Sequence, residues 1–235
     1  FGKGIVDTPS NFGLQGAVPS HPELLDALAL GLIENQWSLK WLQRVIVTSG
    51  TFQQSCSTVE MAISKDPDNR WYGRMNRRQL DIEAWRDSML QVRGLLDSSI
   101  GGKPSPLSNI DNNRRTLYAT IKRRELDEVL KMFGFPEPTA HSPKRDEMNT
   151  PLQQLYSLNS DFIWRCADHF ASSYTVKEKK DFKLMVAELY RKVYAREATP
   201  LEHGVAIDYL EKSGSDGLRR YIHALLISNE FAFLD

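Results

Sequence analysis

Three short segments of this sequence carry the same helix-opening signature. Ser20-His21-Pro22-Glu23, Thr150-Pro151-Leu152-Gln153 and Thr199-Pro200-Leu201-Glu202 each place a hydroxyl residue three positions ahead of a Glu or Gln. In that arrangement each side chain satisfies a backbone amide of the other residue. At Pro151 and Pro200 the proline stands at the first helical position, where its fixed φ suits the helix and its missing N–H costs nothing. Apolar residues then recur every three or four positions, the period of a helix with one buried stripe. Leu24, Leu25, Leu28, Leu32 and Ile33 share a face of the first helix. Ser38 can cap a second helix carrying Trp41, Leu42, Val45 and Ile46, and the short link through Asn35 and Gln36 suggests an antiparallel pair.

The same periodicity predicts the longest helix within Asn76–Ser99, with Ile82, Trp85, Met89, Val92 and Leu96 on one stripe. A short helix is expected over Glu125–Phe133, stopped by Gly134 and Pro136. Two helices follow, over Asp161–Ser172 and Glu178–Ala195, the latter marked by Leu184, Ala187, Leu189, Tyr190 and Val193. A last one carries Leu218, Tyr221, Ile222, Leu225 and Leu226. The charged run at 177–181 reads as a solvated helix start. Residues 1–19, rich in Gly, Pro, Asn and Asp, read as an irregular entry, and 49–69 as a polar stretch with a turn at Asp66-Pro67-Asp68. Only Thr116–Lys122 alternates like a strand, and it can equally be a helical turn. The expected fold is therefore mainly α: a multi-helix, bundle-like globular domain over 1–235 with at most a short strand pair near 116–122. If it is bilobal, the Gly- and Pro-rich loop after Gly101 separates lobes at 20–99 and 114–235.

Composition sets the outer limits. Apolar residues make up 41% of the 235 residues, enough for a core and against wholesale disorder. Thirty Lys and Arg balance thirty Asp and Glu, which argues against a dedicated nucleic-acid or anionic-membrane binder. No apolar run approaches the ~20 residues that span a bilayer, so no membrane insertion is expected. The chain opens at Phe1 without a signal-peptide pattern and is expected to be a piece of a longer protein. Its two cysteines, Cys56 and Cys166, can form a disulfide in an oxidising compartment or remain buried thiols.

Catalytic signatures are absent from the sequence: there is no nucleophile elbow, phosphate loop, dinucleotide fingerprint or zincin motif. Cys166 and His169 are spaced to face one ion, but two ligands do not complete a metal site, and none is expected. The polar positions with most chemical content lie around the helix expected within Asn76–Ser99 and after it. Asp81 flanks Trp85 on the helical wheel, and Arg77 and Arg78 precede it at pairing distance. They read either as an ion-pair network locking the helix or as a polar cleft for a ligand. Arg114, Arg115, Lys122, Arg123 and Arg124 surround Tyr118 and could cradle an anion, unless Glu125, Asp127 and Glu128 neutralise them locally.

Several segments taken together resemble a known family. They are Phe12–Gly16 with Pro19–Leu25, Val47–Ser55, Arg74–Asp81, Arg114–Tyr118, Asn149–Gln153, Arg196–Pro200 and Ser228–Phe231. In order and spacing they resemble the C-terminal domain of unknown function that closes large planctomycete-type, cytochrome-c-associated exported proteins. The resemblance implies an extracytoplasmic setting and upstream domains in the parent chain as partners, one of them often like a c-type cytochrome. It implies no reaction. Any haem c would sit on a missing portion of the parent, since the attachment motif is absent here, and no cofactor is expected in this chain. The positions that match the family pattern and could bind a ligand are Asn76, Arg77, Arg78, Asp81, Arg115, Tyr118, Lys122 and Arg145. The sequence departs from the pattern around His141–Asn149, where similar proteins tend to carry a cysteine near His141. The leading expectation is a non-catalytic accessory, docking or ligand-binding domain, with a protein partner and no nucleic acid. The alternative is a hydrolase or oxidoreductase of a carbohydrate-like substrate, with Asp81 as acid/base and Arg77, Arg78 and Tyr118 orienting it.

Overall fold

The computed structural model describes residues 1–57, 60–145, 148–174 and 179–234. The chain is mainly helical, as its periodicity predicts, and it divides into two compact units between Arg78 and Gln79. The sequence placed the division later, in the loop after Gly101. That loop is instead tied into the second unit. Asp97 bridges Arg114 and Ser105 bridges Ala119, while the Arg114 guanidinium donates to the carbonyls of Gly101 and Lys103.

The first unit holds α1 (Pro22–Glu34), α2 (Leu39–Val47) and α3 (Glu60–Lys65). Ser38 caps α2 as expected, its hydroxyl accepting from the Trp41 amide at 3.3 Å. The expected box at Ser20 does not form. His21 occupies the cap position of α1 without a side-chain capping bond, and the Ser20 hydroxyl, 3.0 Å from the His21 Nδ1, donates back to the Ile5 carbonyl instead. The entry segment captures the cap before the helix can use it. Between the helices, Gln36 and Trp37 both adopt left-handed φ, 55° and 59°. α1 and α2 meet at Gly31, where a Cβ would lie 2.3 Å from the Trp41 ring. The Asp66 turn also forms: its carboxylate accepts from the amides of Arg70 and Trp71, each at 2.9 Å. Among the described residues of this unit Asn69 alone is buried, and no hydrophobic side chain is.

Strand β1 (Arg78–Gln79) falls at the division, and it pairs with β2 (Phe233–Leu234), the last element of the second unit, as a two-stranded sheet. Between them run α4 (Ile82–Val92), α5 (Glu128–Met132), α6 (Pro151–Asn159), α7 (Asp161–Ser172), α8 (Lys179–Tyr194), α9 (Pro200–Lys212), α10 (Gly217–Leu226) and α11 (Asn229–Ala232). The capping boxes at Thr150 and Thr199 both form in full. The core is one cluster to which α4, α5, α7, α8, α9, α10 and α11 all contribute, and Met89, Ile163, Cys166, Val186, Leu189 and Ile222 are fully buried in it. The sequence placed the longest helix within 76–99, but α4 has 11 residues and α8 has 16. Gly94, at φ 77°, turns the chain out of α4, so Leu96 belongs to a loop. Leu184, assigned to the buried stripe of α8, is 74% exposed, while Met185 and Val186 are buried in its place. The charged run at 177–181 lies outside the described residues, apart from the helical backbone from Lys179. Thr116–Tyr118 closes as a single 3₁₀ turn rather than a strand, which leaves Leu117 outward and Ala119 inward.

Candidate functional site

The expected polar positions divide between the two units: Asn76, Arg77 and Arg78 belong to the first, and Asp81, Arg115, Tyr118, Lys122 and Arg145 to the second. In the first unit Asn76 serves the chain path: its amide donates to the Phe1 carbonyl at 2.9 Å and its oxygen accepts from Asn69. Arg77 and Arg78 are exposed. Asp81 precedes α4 without capping it, and it meets Arg145 at 3.8 Å.

Arg145 is better engaged one turn along α4. It makes a two-pronged pair with Glu83, both contacts at 2.6 Å, and its guanidinium lies 5.0 Å from the Phe135 ring centre. Burial works against the Glu83 carboxylate, yet the Arg145 hydrogen bonds outweigh it and hold its pKa below the ordinary glutamate value. This fork-to-fork geometry is the strong form of an ion pair. It links α4 to the irregular segment after α5, 62 residues away in sequence.

A second cluster pins the segment 112–118 onto α4. Asp87 accepts from both the amide and the hydroxyl of Thr116 at 2.7 Å, with Arg115 3.8 Å away. Beside it, Arg86 is 5% exposed. Its guanidinium donates to the Thr116 hydroxyl and to the carbonyls of Arg114 and Asn112, and it lies over the Phe162 ring. Desolvation lowers the Arg86 pKa from its ordinary value. Tyr118 uses its hydroxyl to accept from the Gly101 amide and its ring to carry Arg114. Lys122 is exposed and pairs locally with Glu125.

Arg86, which makes three of these contacts, carries no signal in the sequence. The groups it serves are 26 to 30 residues away, so no local pattern announces it. A third network was also unseen. Arg196 pairs with Glu202 at 2.8 Å and with Glu230 at 2.5 Å, and it stacks on Tyr190 and Tyr194. The Arg196 bonds draw the Glu202 pKa down to about 2.

Cys166 is buried and His169 exposed on α7, so the two do not face one ion. Neither cysteine is in a disulfide, and burial pushes the Cys166 thiol pKa upward. Among the described residues no group of three or more His, Cys, Asp or Glu side chains is placed to hold a metal, and no helix is long and apolar enough to cross a membrane. Chemically, the described arrangement joins segments. Its carboxylates are met by guanidinium groups and backbone amides, which is what stapling requires.

The model of the PSD1 family, described as a protein of unknown function (DUF1553), matches residues 1–210, and the chain belongs to this family. No curated protein and no solved structure matches it.

Proposed function

We propose that this PSD1-family chain is a non-catalytic docking domain of a larger extracytoplasmic polypeptide linked to a haem protein, and that it docks through the helical pair of its first unit. The observation that carries the reading is a mismatch between apolar content and burial. α1 and α2 contain no buried residue, although Leu30, Ile33, Leu39 and Val47 are all about half exposed or more, and Trp37 is 68% exposed. A unit of this size normally needs a core of its own. Large exposed apolar surface marks a place where another protein sits, and an aromatic anchor such as Trp37 is the side chain that binding energy concentrates on. The partner is an apolar protein surface, in this reading a neighbouring domain of the same parent polypeptide. The extracytoplasmic setting and the haem link are supported by the family resemblance alone. The internal pairing of Glu83, Asp87, Arg115 and Arg145 supports a structural rather than a chemical role for the polar cluster.

Amide hydrogen exchange tests the proposal. Residues 22–47 should exchange at least about tenfold more slowly in the intact parent protein than in the 235-residue chain alone, because docking adds its free energy to local opening. Equal exchange in the two would overturn docking by this pair. Turnover of aryl glycosides by the parent that Asp81→Asn abolished would replace the docking reading with a catalytic one.

A further inference from the structure

A recess with about 250 Å³ of accessible space opens in the second unit, and the described residues that line it all belong to that unit. We infer that it is a binding site for one small, uncharged, hydroxylated ring, the chemistry of a single sugar residue. The inference is independent of the docking surface, which belongs to the first unit.

The lining divides by chemistry. Trp85 and Phe133 contribute aromatic rings with centroids 5.2 Å apart. Four carboxamide side chains, Gln79, Asn149, Gln154 and Asn229, line the same recess. Among the described residues none of the four makes a side-chain hydrogen bond within the protein. Their neighbours in the lining behave differently. Gln153 donates to the Met132 carbonyl and accepts from the Thr150 amide, and the Ser157 hydroxyl donates to the Gln153 carbonyl. The recess therefore separates committed polar groups from uncommitted ones.

Each carboxamide offers donors and an acceptor together. A ring bearing several hydroxyls needs that mixture, because each hydroxyl also both donates and accepts. Among the described residues no charged side chain lines the recess, so an ionic ligand would find no counter-charge among them. The aromatic faces suit the C–H face of such a ring. The volume is below the ~300–1,000 Å³ of pockets for drug-sized ligands, which limits the occupant to one ring. The Trp85 indole N–H is buried without an acceptor in the protein, an unusual state for a tryptophan. The carboxamides and rings of the described lining suit binding of the ring.

The test is a titration of the isotope-labelled 235-residue chain with the methyl glycosides of glucose, galactose and mannose, followed by NMR at the Trp85 indole and the side-chain amides. Glucose 6-phosphate serves as the charged control and N-acetylglycinamide as the amide control. At least one glycoside should give saturable shifts, weakened about tenfold or more by Gln154→Leu and by Asn229→Leu. Both substitutions are at exposed positions, so the remaining spectrum reports an intact fold. The inference is overturned by the absence of saturation with all three glycosides, by binding that neither variant weakens, or by either control binding as tightly as the best glycoside.

Discussion

Arg86 shows how a single side chain can decide a chain path. It serves three acceptors between Asn112 and Thr116, in the stretch that leads into the 3₁₀ turn. Removing its head while keeping its stem leaves those acceptors buried and unpaired, so Arg86→Met should cost about 3 kcal/mol in chemical denaturation. Asp81→Asn is the contrast. Its side chain is 56% exposed and its contact with Arg145 is long, at 3.8 Å, so the change should stay within about 0.5 kcal/mol. A large loss at Asp81, or none at Arg86, would reverse that ranking. The Arg196 network makes a pH prediction. With its pKa drawn down to about 2, Glu202 contributes stability that is complete above the unfolded glutamate value of about 4.3. That contribution disappears as pH falls towards the folded value. Glu202→Gln keeps the capping geometry and removes the charge. The variant should be less stable at neutral pH and lose less than the wild type between about pH 4.5 and 2, as thermal melts across that range would show.

At the scale of elements, the caps test how far local sequence governs. Thr150 and Thr199 open helices that bury only Gln153 in α6, and Ala206 and Leu210 in α9. With few core contacts at those helices, the caps carry much of the definition of their starts. Thr199→Ala should cost about 1 kcal/mol, read as a shift in the denaturation midpoint at unchanged slope, whereas Ser20→Ala should show no capping loss because Ser20 does not cap α1. These boxes have the same residue pattern, and the difference lies in what surrounds them. The Ser20 hydroxyl finds a carbonyl 15 residues back, while Thr150 and Thr199 find their own third amides. Likewise the alternation at 116–122 is genuine, but a strand needs a partner along its length. Ser105 offers Ala119 one bridge, and a 3₁₀ turn takes the rest.

At the scale of the molecule, the hydrophobic core lies wholly within the second unit, from Ile82 to Phe231. Burial of apolar area is the main source of folding free energy, so the two units should differ in resistance to opening. Limited proteolysis of the 235-residue chain should trim the first unit first and leave a fragment beginning near Gln79. Mass spectrometry of the early products checks this, and initial cleavage inside α7, α8 or α10 would contradict it. The family assignment and the helical class were both legible from ordered motifs and from periodicity. The candidate site was legible only as residue types: Arg145 and Arg115 are engaged with Glu83 and Asp87, carboxylates that no spacing along the chain assigned to them.

By itself the sequence determined the elements whose signals are local. Periodicity placed the helices, because side-chain direction along a helix repeats with a fixed angle. Threonine, proline and glycine placed many of their ends, because caps and left-handed turns depend on a few adjacent residues. Tertiary structure alone decided which guanidinium meets which carboxylate, where the chain divides, and which amides remain uncommitted around the recess beside Trp85. Those outcomes depend on groups brought together from distant parts of the chain, and no spacing along it encodes their separation in space.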